Sequence, residues 1–456
     1  MKIYLHIALN LLLALLIASC ATKPTPAISA TAAPSQPPTQ ASTETPIVAS
    51  TTATPVIANG QEPPPCTFPL AQIKPPISVP EIYTFSNPKV VLTAPKGNFY
   101  VVAQWLPDNQ QFLLVEALRN IYDYSPSNNN IALQSISLYN PESNTSKVYA
   151  IRAESSALPL WLPTLNALVY PATNYTSIDK THSAYKYTLQ ARISYGDPNN
   201  TQLLADNLSQ FPIGVKPDGS EVIYLSDHEI YKLDKSLKVI HSVPFDPAQW
   251  DYAANRTNQY PIKRNQSPAV YSMEWQPGTS LVFLYSNGSF GDGGYTFILN
   301  TDTGKVCELN LGGWAAVAHW SLDGRYLAII RATEYTFPIH TSDLVLLDTF
   351  TGGLTTLAVN PKEQQVQHLF DFTWAPDSRH ILVLAAAVLS QDDDIQGLYL
   401  LDFVSGQSAN ILPAYKFKTN SSQSVTWSPD GSKVVVLCPT NGMYQICFIS
   451  VHQTGQ

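Results

Sequence analysis

The feature that most restricts the fold is a short phrase that recurs seven times. It reads Trp105-Leu-Pro-Asp108, Trp161-Leu-Pro-Thr164, Val215-Lys-Pro-Asp-Gly219, Trp275-Gln-Pro-Gly278, Trp320-Ser-Leu-Asp-Gly324, Trp374-Ala-Pro-Asp377 and Trp427-Ser-Pro-Asp-Gly431. Successive first positions lie 45 to 60 residues apart. A period of that size marks a supersecondary unit that buries its apolar face only against copies of itself. The 376 residues from Glu81 to Gln456 hold seven such units and leave no room for an eighth.

Each unit continues in the same way. A β-rich run follows the phrase, as in Phe112-Leu-Leu-Val115, Val222-Ile-Tyr-Leu225 and Ile381-Leu-Val-Leu384. A second run comes after a variable gap, as in Ile136-Ser-Leu-Tyr139 and Leu398-Tyr-Leu-Leu401, and a turn such as Asp302-Thr-Gly304 or Thr351-Gly-Gly353 leads into a third. With the run ahead of the phrase, four strands make up a unit. The expected fold is all-β, a seven-bladed β-propeller of four-stranded antiparallel blades. The phrase suits that setting. Proline ends a strand because it lacks the ladder donor, Asp-Gly closes a tight turn, and tryptophan fills the gap between neighbouring blades.

With these residues in view, the chain resembles the TolB-type, WD40-like propeller repeat and its Trp-Ser-Pro-Asp-Gly signature. Trp427-Ser-Pro-Asp-Gly431 matches in full; Thr164, Val215, Gly278 and Leu322 are departures in partial copies. Pro88-Lys-Val-Val-Leu-Thr93, ahead of the first phrase, has the look of the outer strand that the last unit lacks. It is expected to complete that blade and interlock the chain ends.

The connections between second and third strands, and between blades, open on one face of such a ring. Here they are long: 119–130, 172–184, 245–268, 289–294, 332–342 and 386–397. Long loops on a rigid scaffold are the usual place for binding. Trp250, Tyr252, Trp314, Tyr122 and Tyr335 are the candidate ligand-binding residues, because aromatics among Asn, Ser and Thr suit sugar stacking or a peptide. Asp392, Asp393 and Asp394 are a candidate calcium site on oxygen chemistry alone. No other cofactor is implied. His182, His228, His340 and His368 fall near the same face, a place where the oligogalacturonate lyases, which the propeller also resembles, hold a metal.

Several classes are excluded. The formal charge of −8, with Lys263-Arg264 as the longest basic run, disfavours nucleic acid. No Gly-x-Ser-x-Gly pentapeptide occurs, and seven blades leave no residues for the hydrolase domain of prolyl-oligopeptidase-like enzymes.

The first residues set the compartment. Lys2, an apolar run from Ile3 to Ile17 and Ala18-Ser19-Cys20 form an export signal. Leu16-Ile-Ala-Ser-Cys20 resembles the bacterial lipobox, which implies cleavage before Cys20 and acylation of its thiol. Of the 45 residues from Ala21 to Pro65, 32 are Ala, Thr, Ser or Pro, so this segment has too little to bury and reads as a tether. The organisation expected is therefore a signal over 1–19, an acylated tether over 20–65, a lead-in over 66–80 and the propeller over 81–456. Cys66, Cys307, Cys438 and Cys447 then form an even set in an oxidising compartment, with three pairings open. A bridge across the Cys438–Cys447 turn is reasonable and would leave Cys66 with Cys307.

The functional expectation is a monomeric, noncatalytic propeller lipoprotein, exported and lipid-anchored on the outer side of the bacterial cytoplasmic membrane or in the outer membrane. It binds a protein, peptide or glycan at the long-loop face, and the TolB resemblance implies a role in cell-envelope assembly. The alternative is a metal-dependent carbohydrate-active enzyme, a polysaccharide lyase or hydrolase, using the same face.

Overall fold

Short β-branched and aromatic runs separated by Pro, Asp, Asn and Gly cannot satisfy their backbone groups alone, and here they do so in antiparallel ladders. The computed structural model describes Cys66, Phe68 and residues 82–95, 98–118, 134–153, 159–179, 184–208, 213–225, 229–234, 238–244, 272–285, 296–332, 342–359, 368–386, 397–417, 424–440 and 443–454.

Two strands, β1 (Ile82–Phe85) and β2 (Lys89–Thr93), precede the first blade. Blade 1 contains β3 (Asn98–Trp105), β4 (Phe112–Leu118), β5 (Gln134–Asn140) and β6 (Thr145–Ala153). Blade 2 has β7 (Leu160–Leu162), β8 (Ala167–Asp179), β9 (Ala184–Ser194) and β10 (Thr201–Leu208). Blade 3 has β11 (Ile213–Val215), β12 (Val222–Leu225), β13 (Glu229–Leu233) and β14 (Val239–Pro244). Blade 4 follows with β15 (Ser272–Trp275), β16 (Leu281–Tyr285), β17 (Thr296–Asn300) and β18 (Val306–Glu308). Blade 5 has β19 (Trp314–Trp320), β20 (Tyr326–Ala332), β21 (Ser342–Asp348) and β22 (Gly353–Leu357). Blade 6 has β23 (His368–Trp374), β24 (His380–Ala386), β25 (Gly397–Asp402) and β26 (Gln407–Asn410). Blade 7 has three strands after its predecessor, β27 (Val425–Trp427), β28 (Lys433–Thr440) and β29 (Met443–Thr454).

The outer edge of blade 7 is supplied from the other end of the chain. Ile82 pairs with Thr454 and Phe85 with Val451, while Lys89 pairs with Phe448 and Thr93 with Gln445. The interlock expected of residues 88–93 is present over Lys89–Thr93 and is extended by β1. Tyr83 is buried in the blade 6 to blade 7 interface, edge-on to Trp427 at 5.1 Å and to His380 at 5.3 Å. Closure therefore rests on packing as well as on the ladder.

Each motif tryptophan is the last or central residue of an innermost strand, and it packs in a cluster shared with the preceding blade. Trp161 lies in the core between blades 1 and 2, Trp275 between 3 and 4, Trp320 between 4 and 5 and Trp374 between 5 and 6. Trp427 lies between 6 and 7, and Trp105 between 7 and 1. The indole N–H of Trp320 donates to the Glu274 carbonyl at 2.9 Å and that of Trp374 to the His319 carbonyl at 2.8 Å, each on the blade before. Between blades 2 and 3 Val215 stands in the tryptophan's place, partly buried beside Leu162, Ile213 and Val222.

The motif turns form a second set of contacts. In blade 5 the Ser321 hydroxyl donates to Asp323 at 2.6 Å and accepts from the Tyr326 N–H, and Asp323 accepts from the Arg325 N–H. Ser428, Asp430, Ser432 and Lys433 repeat these bonds in blade 7. The turn glycines have positive φ and abut the motif proline of the blade before. A Cβ on Gly219 would lie 2.7 Å from Pro163, and one on Gly324 would lie 2.8 Å from the Pro277 carbonyl oxygen. Where the position holds a side chain, that chain bridges instead. Ser378, at φ 54°, accepts from the Asp323 N–H, and Asn109, at φ 58°, accepts from the Asp430 N–H. Blade 4 departs from the pattern because Pro277-Gly278 puts the positive φ one residue earlier in a turn of the same length.

One expectation needs correction. Residues 172–184 do not form an open gap, because β8 continues to Asp179 and β9 begins at Ala184. The two pair as a long hairpin in which Tyr175 stands opposite Tyr187 and Ser177 opposite Tyr185. Alternating Tyr and Thr favour a pleated strand even with Asn and Ser among them.

Candidate functional site

The blade topology separates two faces. At one end lie the motif turns and the turns between third and fourth strands, all short and internally hydrogen-bonded. Asp348 and Asp402 show the second kind: each caps its turn through the N–H of Phe350 or Val404 and receives a forked ion pair from Arg325 or Arg379. At the other end the described strands stop at Leu118, Asp179, Leu225, Tyr285, Ala332 and Ala386 and at Pro244, Leu357 and Asn410. The long connections leave from these positions.

Most sequence-predicted site residues belong to those connections. Trp250, Tyr252, Tyr122, Tyr335 and the trio Asp392, Asp393 and Asp394 lie outside the described residues, as do Cys20, His182, His228 and His340. Trp314 opens β19, paired with Ala332 at the loop end of blade 5. His368 opens β23, is buried and pairs with Ala386. Among the described residues no group of three His, Cys, Asp or Glu side chains is placed to hold a metal ion.

A polar hub lies on the innermost strands of blades 4 to 6, and the sequence reading missed it. His319 Nδ1 is 3.3 Å from Glu274 Oε1, both side chains being half-buried, and its ring meets Phe372 at 5.2 Å. Burial alone would lower the His319 pKa, but the Glu274 charge and hydrogen bond, with Asp371 beyond, raise it above the ordinary value. Asp371 is buried, and burial pushes its carboxyl above the usual range against the pull of His319. Its oxygens accept the N–H groups of Phe372, Ser424 and Val425, which ties blade 6 to β27 of blade 7. Burial and Glu274 also push the Tyr285 hydroxyl upward. The signal that could have found the hub is positional. Glu274 and His319 directly precede motif tryptophans, and Asp371 comes three residues before one. Chemically the hub joins blades, with Asp371 accepting three backbone N–H groups.

Two disulfides are present. Cys66 joins Cys307 of β18, with Cα atoms 5.0 Å apart, and Cys438 joins Cys447 across the β28–β29 hairpin, with Cα atoms 6.0 Å apart.

No family model matches the chain, and no curated protein matches it. Solved structures share its architecture. An oligogalacturonate lyase in complex with manganese is similar at 11% identity and a TM-score of 0.48, over 87% of this chain and 99% of that one. The β-propeller domain of the Trilobed protease from Pyrococcus furiosus, described as having an open velcro topology, is similar at 11% identity and a TM-score of 0.44, over 82% and 96%. The Pyrococcus horikoshii acylaminoacyl peptidase is similar at 9% identity and a TM-score of 0.43, over 78% of this chain and 52% of that one. At these identities the likeness is one of fold.

Proposed function

We propose that the protein is a noncatalytic propeller lipoprotein, anchored through Cys20, that binds a protein, peptide or glycan at its long-loop face in a cell-envelope assembly role. One observation carries the reading. The motif-turn face is closed by short turns locked to one another, whereas every long connection leaves from the opposite face. A rigid ring with variable loops gathered at one end is built to present a surface.

The chain used to find the ligand has to retain Cys66 and Phe68, since both pack against the blade 4 to blade 5 core. Immobilised chain is exposed to envelope proteins and to a glycan array, and the same captures are repeated with Trp250→Ala/Trp314→Ala. Loss of a captured ligand, with an unchanged melting temperature, supports the face. Equal capture by both chains removes it. The anchor is tested separately by labelled palmitate, which the exported protein incorporates and a Cys20→Ala chain does not.

A further inference from the structure

The N-terminal segment meets the disc twice, at places three blades apart. Its first contact is covalent: Cys66 is bonded to Cys307 on the outermost strand of blade 4, and Phe68 packs with it against the blade 4 to blade 5 core. Its second begins at Ile82, where β1 and then β2 zip onto β29 and close the ring. Antiparallel β1 is joined to β29 from its N-terminal end inward, starting at the Ile82–Thr454 pair. A pull arriving at Ile82 would part that ladder one pair at a time, which is the weakest way to load it. The 15 residues from 67 to 81 can span roughly 50 Å when extended. Any load that passes from Cys66 to Cys307 bypasses those residues.

We propose that the Cys66–Cys307 bond is a mechanical stop. It delivers any pull on the N-terminal segment to the outer strand of blade 4 and keeps that pull off the two strands that close the ring. The source of such a pull rests on the lipid-anchor reading, but the path of force does not, and palmitate labelling tests the first without touching the second.

The test is force spectroscopy on the full chain, with one handle at Thr43 and the other at Thr351 in the exposed turn of blade 5, both attached without new thiols. The oxidised protein is expected to show no early step. Cys66→Ser/Cys307→Ser is expected to show one at lower force, lengthening the chain by about 40 Å as the 12 residues from Ile82 to Thr93 peel away. The comparison is made in a Cys438→Ser/Cys447→Ser background, where reduction opens Cys66–Cys307 alone and chain that is folded first and then reduced should behave like the variant, which keeps the result independent of how the variant folds. Identical first steps before and after reduction would overturn the proposal. So would loss of hydrogen-exchange protection across β1 in reduced chain under no load, because the bond would then hold the closure by proximity rather than by diverting force.

Discussion

Blades 1 to 3 and blades 4 to 6 are built from the same plan with different regularity. In the later three the outer strand runs against its neighbour without interruption: β17 with β18, β21 with β22 and β25 with β26. In the earlier three every outer pairing is broken by a shift in register, in β5 with β6, β9 with β10 and β13 with β14. Blade 1 also runs into blade 2, since Ala153 of β6 pairs with Ala172 of β8. The motif follows the same division only in part, since blade 1 carries both Trp105 and Asp108 and blade 4 has Gly278 in place of the Asp. Thr164 and Val215 stand where Asp and Trp stand elsewhere, whereas blades 5 and 6 carry both residues and the forked Arg–Asp pairs. Closing the ring needs seven units of the right size, not seven equal units. Bulged outer strands also make poor templates for another chain's edge.

The largest expected difference lies between the two kinds of blade interface. Trp374→Ala empties the core shared by blades 5 and 6 and should cost about 3–5 kcal/mol. Val215→Ala, at the interface without a tryptophan, should cost only about 1 kcal/mol, because half of a valine's burial is lost. Urea denaturation of both variants measures the gap, and equal losses would break the comparison. Next in size is the turn ring. Gly324→Ala puts a side chain at φ 73° and drives it into the Pro277 carbonyl, so it should cost about 2 kcal/mol or more. Gly278→Ala also sits at a positive φ but meets nothing within 4 Å, and should cost about 1 kcal/mol.

The blade count, the four-strand unit, the tryptophan's place between blades and the closure by residues 88–93 were all legible in the sequence. Each depends on residues whose chemistry is local: a strand-ending proline, a turn glycine, an apolar run. The polar hub was not legible, because Glu274, His319 and Asp371 are 97 residues apart at their extremes and meet only when three blades stand side by side. The β8–β9 hairpin was misread because its Asn, Ser and Thr content is that of a loop, while its strand character depends on cross-strand pairing. Cys66 and Cys307, 241 residues apart, could be paired by counting only among three alternatives. Of the ligand-binding candidates on the loop face Trp314 opens β19, and the others lie outside the described residues.

Titration should separate the ion pairs of the regular blades from the hub. Burial would raise the Asp348 and Asp402 carboxyls, but the guanidinium groups of Arg325 and Arg379 and the turn N–H groups hold both below the usual range. Their contribution is present above the unfolded carboxylate value of about 3.9 and is lost as pH falls through the lowered folded values. Melting temperature should therefore drop below about pH 4, and Arg379→Met should make that drop shallower. His319 has the opposite sign. Its raised folded pKa gives stability that is full below about pH 6.5 and is lost as pH rises through the folded value. His319→Gln should flatten the melting profile on that alkaline side and, by removing the pull on Asp371, move that carboxyl further up; a variant curve parallel to wild type at all pH values would remove the hub from the account.

The smallest effect expected is also the sharpest test of the turn ring. Ser378 occupies the left-handed position that glycine holds in neighbouring blades, and its hydroxyl accepts the Asp323 N–H at 3.1 Å. Ser378→Gly removes that bond, worth about 0.5–1.5 kcal/mol net, but also relieves a left-handed backbone cost of about 1–2 kcal/mol. The two nearly cancel, so the melting temperature should hardly move. Ser378→Ala removes the bond and keeps the backbone cost, so it should lose about 1 kcal/mol. If Ser378→Ala loses nothing against wild type, the hydroxyl does not link blades 5 and 6, and the bridge assigned to Asn109 between blades 7 and 1 loses its closest parallel.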